Sequence, residues 1–518
     1  MRHYNSLGMR TNLTRMNTKC IRNQYAGKFQ EEILPLISLN ITARSPPNDT
    51  SLNTPNEISV NIDRVALVAG LRNRNTSEIT DLARWLRELQ SRMHGRRAGE
   101  GWRICIGSGS RELIYRFRAL MLGQAVQAMV NHHNKTHTHT HRDSIFVESF
   151  VYKDIIPMFE TICNPIMVQT DGDGICAEYL RDILESCKWT PENPKPKFLY
   201  TVPYGCNPTG ITTTTERRKE VLKLAREHDF IILEDDPYYY LYYSEAPRPP
   251  SYFALEATES TEKGQYEGGR VVRFDSLTKI LSAGMPIGWA SGPAHLLKLI
   301  ERHPGFVCPY FLRIFHLVAS TSNLVSIETL HGISSGNIPD VLDVPTFLIA
   351  TPLRHFLLWS PPIGLIKALW LKDLVLSDVS TTTSSNLQAS SLAQVIAHAL
   401  LKKWGNDGFD SHVRSASEFY RKKRDTFEDA MNKHLKELAR WERPEAGMFF
   451  WFKLLIPDSA VTKVEMRDAV ERLPWAVFWQ PENGNSRYVR ASFSVPDEDE
   501  VNEGLEGLRH FILGIGDT

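Results

Sequence analysis

The sequence predicts an α/β fold: a mainly parallel sheet covered by helices on both faces, followed by a smaller C-terminal domain. Three observations predict it. Short apolar runs alternate with helical stretches between residues 102 and 293. Glycine-bearing or polar residues recur where those runs end. Two more apolar runs, GMFFWFKL and RYVRASFS, follow two long helical stretches near the C-terminus. Strands joined by intervening helices pair in parallel, because a crossover must return the chain to the same edge of the sheet. In such sheets ligands bind outside the carboxyl ends of the strands, so functional residues are expected there.

Composition narrows the function before any motif is read. The 518 residues are 42% hydrophobic and 23% charged, enough for two or three ordinary domains. Lys plus Arg and Asp plus Glu are both 60, so the formal net charge is zero. A general nucleic-acid or membrane-surface binder would carry a basic excess, so neither partner is expected. The nearest approach to a membrane span, Phe356–Leu376, is interrupted by Pro361, Pro362, Lys367 and Lys372. Seven cysteines form no CxxC pair and no zinc spacing, so no metal is expected, and their sparse use points to a reducing compartment.

Element by element, residues 1–30 lack Asp and Glu and carry several Arg, Lys, Ser and Thr. That is the composition of a mitochondrial presequence, and equally of a disordered arm. Residues 40–60 are polar and contain proline, so they read as loop. From Ile79 the pattern is helical, with Leu82, Trp85, Leu86 and Leu89 on one face. Trp102–Ile106 is a strand, GSGS a glycine turn, and Glu112–Leu122 a helix. In 123–142 a His-Thr alternation reads as a solvated loop or, less readily, a metal-binding tract. SIFVESF, PIMVQT, PKFLYTVP, FIILEDDP, GRVVRFDS and GMPIGWASG are strands; Ala177–Ser186 and Thr215–His228 are helices. Residues 304–377 break the rhythm and read as an insertion. Gln388–Lys403 and Ala416–Lys436 read as two separate long helices. The expected division is an arm over 1–60, a large domain over 61–303, the insertion, and the end of the large domain with a small domain over 378–518.

Five features can carry chemistry. Gly107-Ser108-Gly109-Ser110 opens a helix after a strand, and backbone N–H groups with a hydroxyl there suit a phosphate, although many such turns bind nothing. Asn207, in Pro203–Gly210, stands in an ordinary turn sequence or offers its amide to a ligand. Glu234-Asp235-Asp236 ends an apolar strand, where a carboxylate is costly to bury unless paired. Lys279 follows Ser276 and Thr278 at another strand end; surrounded by apolar residues its amine becomes a nucleophile for carbonyls. Arg490 sits inside an alternating strand and needs an anion: a substrate carboxylate or an internal ion pair.

In order and spacing, PxxxNPTG, EDDPY, DSxTK, GWASGP and RASFS closely resemble the class I, fold-type I pyridoxal-phosphate (PLP) aminotransferases. The likeness is greatest to the aromatic and 2-aminoadipate/kynurenine branch with its fungal members, and covers about 80–122, 143–303 and 378–515. It implies a seven-stranded-type sheet, a homodimer, and transamination between an aromatic or 2-aminoadipate-like L-amino acid and a 2-oxo acid such as 2-oxoglutarate. It implies that Lys279 bonds PLP covalently and carries protons, that Asp235 pairs with the pyridine nitrogen, and that Asn207 and Tyr238 hold the phenolic oxygen. Gly109, Ser110, Ser276 and Thr278 would bind the phosphate, with Arg111 adding a backbone contact; Tyr152 would stack on the pyridine, and Arg490 would clamp the substrate carboxylate. Same-fold decarboxylase or lyase chemistry, and a catalytically impaired or PLP-free relative, stay open at this point. The cytoplasm is the expected compartment, with the mitochondrion as alternative.

Three departures from the family pattern matter. The phosphate-binding Arg expected seven residues after the lysine is Pro286. The N-terminal stretches ISLNITARS and ALVAGLRN lack the Tyr that a partner subunit donates. The stretches 123–142 and 304–377 have no family counterpart, and their flanks close up without them, as expected of translated non-coding sequence.

Overall fold

The computed structural model describes residues 9–10, 39–44, 57–62, 64–71, 80–117, 144–302, 389–456, 470–478 and 487–515, apart from short breaks at 98, 153, 161–162, 191–192, 262–268, 282–285, 471–472 and 474. The His-Thr tract and the 304–377 insertion lie outside the described residues.

Strands β1 (Met9–Arg10), β2 (Leu39–Arg44) and β3 (Glu57–Ile62) form an antiparallel sheet. This corrects the loop reading of 40–60. Ile58, Val60 and Ile62 alternate with polar residues, a strand signal that the polar, proline-containing stretch between β2 and β3 hid. The central sheet holds β4 (Trp102–Gly107), β5 (Ser144–Glu148), β6 (Asn164–Val168), β9 (Phe198–Thr201), β10 (Ile231–Asp235), β11 (Val271–Ser276) and β12 (Gly288–Pro293). A two-residue ribbon, β7 (Thr170–Asp171) with β8 (Gly174–Ile175), lies beside it in sequence. The strand order is β4-β12-β11-β10-β9-β5-β6. All neighbours pair in parallel except β12, which runs against both β11 and β4. The seven-stranded, mainly parallel sheet is as expected.

Both faces of this sheet are buried, which is why its strands read as apolar runs. On one face Ile145, Val147, Tyr200, Leu233, Val272 and Phe274 pack together. On the other Phe146, Leu199, Ile232 and Val271 meet the helices Ala177–Ser186 and Thr215–His228. The second helix starts at an N-cap Thr214, whose side chain accepts from the Arg217 N–H, and ends at Asp229 in the left-handed conformation.

The two long helices expected near the C-terminus are present within Ser391–Leu435 and meet at a kink at non-helical Gly405 (φ 62°, ψ −167°), so the second begins about ten residues before the expected Ala416. The segment KKWGNDGFD looks like a linker, with two glycines and Asn. Tertiary packing overrides that composition: Phe409 is buried between Trp85 and Tyr240. The helix Glu112–Leu122 begins earlier, at Ser110, and its described part ends at 117.

A second, antiparallel sheet orders β13 (Ala439–Trp441), β14 (Phe449–Leu454), β16 (Tyr488–Ser492) and β15 (Ala476–Phe478). It touches the first domain where backbones meet. A Cβ on Gly205 (φ 53°) would lie 2.5 Å from the Ala446 carbonyl carbon, so only glycine fits that approach. This contact brings β16 over the Asn207 turn.

Candidate active site

The carboxyl ends of β4, β9, β10 and β11 and the start of β12 lie along one edge of the central sheet. Gly107 ends β4, and the chain turns through Gly109 (φ 135°) into the helical residues 110–117. Ser110 at the helix start is buried. A Cβ on Gly288 would lie 2.6 Å from the Gly109 backbone, so the glycine turn and the β11–β12 segment press together. Beside it the Ser276 and Thr278 hydroxyls are 2.8 Å apart, and the Thr278 N–H donates to Ser276 Oγ at 3.2 Å.

Lys279 lies just past this hydroxyl pair, with Nζ 5.8 Å from the Tyr238 ring centre. The residue as a whole is exposed, yet burial around its side chain lowers its ammonium pKa, with the Asp235 charge opposing. Tyr238 is buried and packs edge-on against Phe449.

Asp235 ends β10 and is buried. Its Oδ2 accepts from Tyr200 Oη at 2.7 Å; its Oδ1 has no hydrogen-bond partner. Burial raises this carboxyl to about 6, with the Tyr200 and Ser110 hydroxyls holding it down. Alternation along β10 sends its neighbours Glu234 and Asp236 to the opposite face. There Arg273 makes a two-point pair with Asp275 (3.0 and 2.8 Å), an ion pair with Asp236, and another with Glu234 at 3.3 Å. Gln90 adds a hydrogen bond to Asp275 at 3.2 Å. The three side chains of the EDD motif therefore divide: Asp235 faces the site, and the other two brace the sheet.

Arg490 on β16 reaches across the two sheets. Its Nη1 donates to Asn207 Oδ1 at 3.1 Å, and its guanidinium lies 5.0 Å from the Phe449 ring centre. Its Nε is buried without a partner, and no carboxylate pairs with it among the described residues. Burial lowers its pKa, with the Tyr238 and Tyr152 hydroxyls opposing.

Lys279, Asp235, Tyr238, Asn207, Ser110, Gly109, Ser276, Thr278 and Arg490 thus converge on one edge. Arg111 follows Ser110 at the helix start, and its side chain, 45% exposed, pairs with Asp154 at 3.3 Å. Asp154 also accepts from Tyr152 Oη at 2.5 Å, and Arg111 lies 5.9 Å from the Tyr152 ring centre. Pro286 is exposed at the approach to β12 and brings neither charge nor N–H. Sequence reasoning missed Tyr200, which holds Asp235, and Arg273. A hydroxyl in FLYTVP and a guanidinium in VVRFDS, each inside an apolar strand, were the available signals.

No family model matches the chain. It is 30% identical over 492 residues to aminotransferase tdiD of Emericella nidulans, across 93% of this chain and 87% of that protein. It is 28% identical to the mitochondrial kynurenine/alpha-aminoadipate aminotransferase of Bos taurus, across 92% of each. Its fold is similar to the aromatic aminotransferase Aro9 of C. albicans, with a TM-score of 0.61 at 19% identity over 92% of this chain and 89% of that one. It is also similar to Pyrococcus horikoshii kynurenine aminotransferase, with a TM-score of 0.56 at 22% identity over 86% and 83%. A parallel sheet with lysine, carboxylate and hydroxyls at its carboxyl edge, in a chain this close to such relatives, leads to one assignment: the chain belongs to the fold-type I PLP-dependent aminotransferases, in the branch of the aromatic and kynurenine/aminoadipate enzymes.

Proposed function

We propose that Lys279 bonds PLP covalently, and that this site transaminates an aromatic or 2-aminoadipate-like L-amino acid with a 2-oxo acid such as 2-oxoglutarate. The observation that carries the reading is the buried, unpartnered Oδ1 of Asp235. A buried carboxylate oxygen without a donor is costly, and a protonated ring nitrogen is the donor that would relieve it. The other residues fit the same group. Ser276, Thr278 and Ser110 at a helix start suit a phosphate. Asn207 and Tyr238 would hold the ring oxygen, and Tyr152 would stack on the ring.

Bound PLP supplies a carbon that condenses with amines and a ring that withdraws electrons from the substrate Cα. Lys279 Nζ, its pKa lowered by burial, would take the Cα proton and return it. Asp235, ionised, would keep the ring nitrogen protonated. Arg490 would hold the substrate carboxylate through N–H groups that no internal anion occupies. Asn207 and Phe449 orient that guanidinium. The aromatic donor is supported by the names of the relatives and by Phe449 beside the Arg490 guanidinium, with the ring cluster Trp451, Tyr488 and Phe150 on the same sheet and its neighbouring loop.

The family supports a homodimer. No helix among the described residues is long and apolar enough to cross a membrane. The cytoplasm is the proposed compartment; the composition of residues 1–30 and the mitochondrial bovine relative support the mitochondrion as alternative. The test is amino transfer from phenylalanine or 2-aminoadipate to 2-oxoglutarate, followed as glutamate formed. Glutamate made only when both substrates are present is expected. Carbon dioxide or ammonia released without glutamate would overturn the reading.

A further inference from the structure

We propose that His412 is a positioning residue for Lys279: stacked on Trp404, it fixes the Ile280 carbonyl and with it the turn that presents the lysine amine. The proposal rests on Lys279 being the residue that bonds PLP.

Lys279 stands on a turn rather than a strand. Ile280 N–H and Leu281 N–H both donate to the Leu277 carbonyl, at 3.1 and 2.8 Å, and Leu277 N–H donates to the Ile287 carbonyl at 2.9 Å. Leu277 and Ile280 are buried, so the turn is held from below on either side of the lysine. The Ile280 carbonyl accepts a hydrogen bond from His412 Nε2 at 2.6 Å, a residue 132 positions later. Because the acceptor is a carbonyl, Nε2 carries the proton.

The long helix makes this contact possible through its break. His412 stacks on Trp404 with ring centres 4.7 Å apart and planes at 26°. Eight residues of unbroken helix would separate the two backbones by about 12 Å along the axis. Gly405, at φ 62° and ψ −167°, lies directly after Trp404 and offsets the two halves. An L side chain is strained there, so the glycine permits the break and the break permits the stack. Burial lowers the His412 pKa, with the carbonyl hydrogen bond opposing, which leaves the ring a neutral donor at working pH.

The consequence is catalytic. Lys279 must serve two positions, the PLP carbon and the substrate Cα. Misplacing a reacting group by about 1 Å costs roughly 100-fold in rate, and a turn freed at one carbonyl shifts by part of that.

The experiment uses the full chain loaded with PLP. His412→Leu removes the donor; His412→Gln restores an N–H donor without the ring. Three quantities are read: the pH midpoint of the visible absorbance of lysine-bound PLP, kcat and KM for phenylalanine, and the Tm of the PLP-free chain. For His412→Leu we expect a shifted midpoint and a kcat lowered about tenfold at unchanged KM. We expect His412→Gln to recover most of both, whatever its Tm. Native titration and turnover in His412→Leu would overturn the proposal. So would His412→Gln behaving as badly as His412→Leu, because the ring rather than the hydrogen bond would then matter. Borohydride reduction and peptide mapping separate the two levels. PLP fixed to another residue overturns the Lys279 reading, whereas PLP on Lys279 with an unaffected His412→Leu overturns this proposal alone.

Discussion

Arg273 and Arg490 begin alike and end differently. Each is a guanidinium in an apolar strand, in VVRFDS and YVRASFS, and Arg490 is half-buried. Arg273 is fully buried and meets Asp236, Asp275 and Glu234. Arg490 meets an amide oxygen and a ring, and keeps Nε unpartnered. A buried cation saturated by carboxylates braces a fold. A half-buried cation without one is set for an anion that arrives from outside. Asp235 repeats the lesson among the carboxylates, with one oxygen taken by Tyr200 and the other open.

The largest effect expected from this contrast is on stability. Arg273→Met leaves three buried carboxylates without their cation, and breaking a buried pair from one side costs about 3–5 kcal/mol. Urea unfolding of the PLP-free chain should show that loss, or a chain that no longer folds. A loss below about 1 kcal/mol would break the comparison. Arg490→Gln should leave the fold and the PLP spectrum intact. Its kcat/KM for phenylalanine should fall about 10²–10³-fold, as expected when a desolvated ion-pair donor is removed. Equal damage to folding would mean that Arg490, too, is structural.

Asp235→Asn sharpens the contrast through pH. Burial raises Asp235 to about 6, so the folded chain binds its proton more readily than the unfolded chain. The stability contributed is present below the ordinary carboxylate pKa and lost as pH rises through about 6. The neutral amide should therefore stabilise the PLP-free chain at pH 7.5, by about 1–3 kcal/mol. PLP binding has the opposite sign. It needs the ionised carboxylate, so native affinity should fall as pH drops below about 6, and Asp235→Asn should bind weakly at every pH. Denaturant curves and PLP titrations at pH 5 and 7.5 read both. The smallest effect is a gain: on the proposed reading Pro286→Arg supplies a guanidinium for the phosphate, and should tighten PLP about tenfold, the worth of one charge-assisted hydrogen bond.

The sequence made the strands and the amphipathic helices Ala177–Ser186 and Thr215–His228 legible, because burial on known faces imposes the periodicity that was read. The candidate residues were legible as types at strand ends. Their division was not. Glu234, Asp235 and Asp236 look equivalent until strand pairing decides which face each occupies. Tyr200 looks like core because its ring is core; only its hydroxyl serves Asp235. The early start of the helix after Gly405 was hidden because Phe409 is buried from a segment whose local composition favours a linker.

The central claim is that the open ends of Asp235 and Arg490 mark a PLP and substrate site served by Lys279. The most direct test is the visible absorbance of the purified chain with PLP, beside Lys279→Ala, before and after adding phenylalanine. The account predicts a band that tracks with the native chain, is absent from Lys279→Ala, and shifts when phenylalanine is added. No band in the native chain with PLP in excess, or the same band in Lys279→Ala, would contradict it.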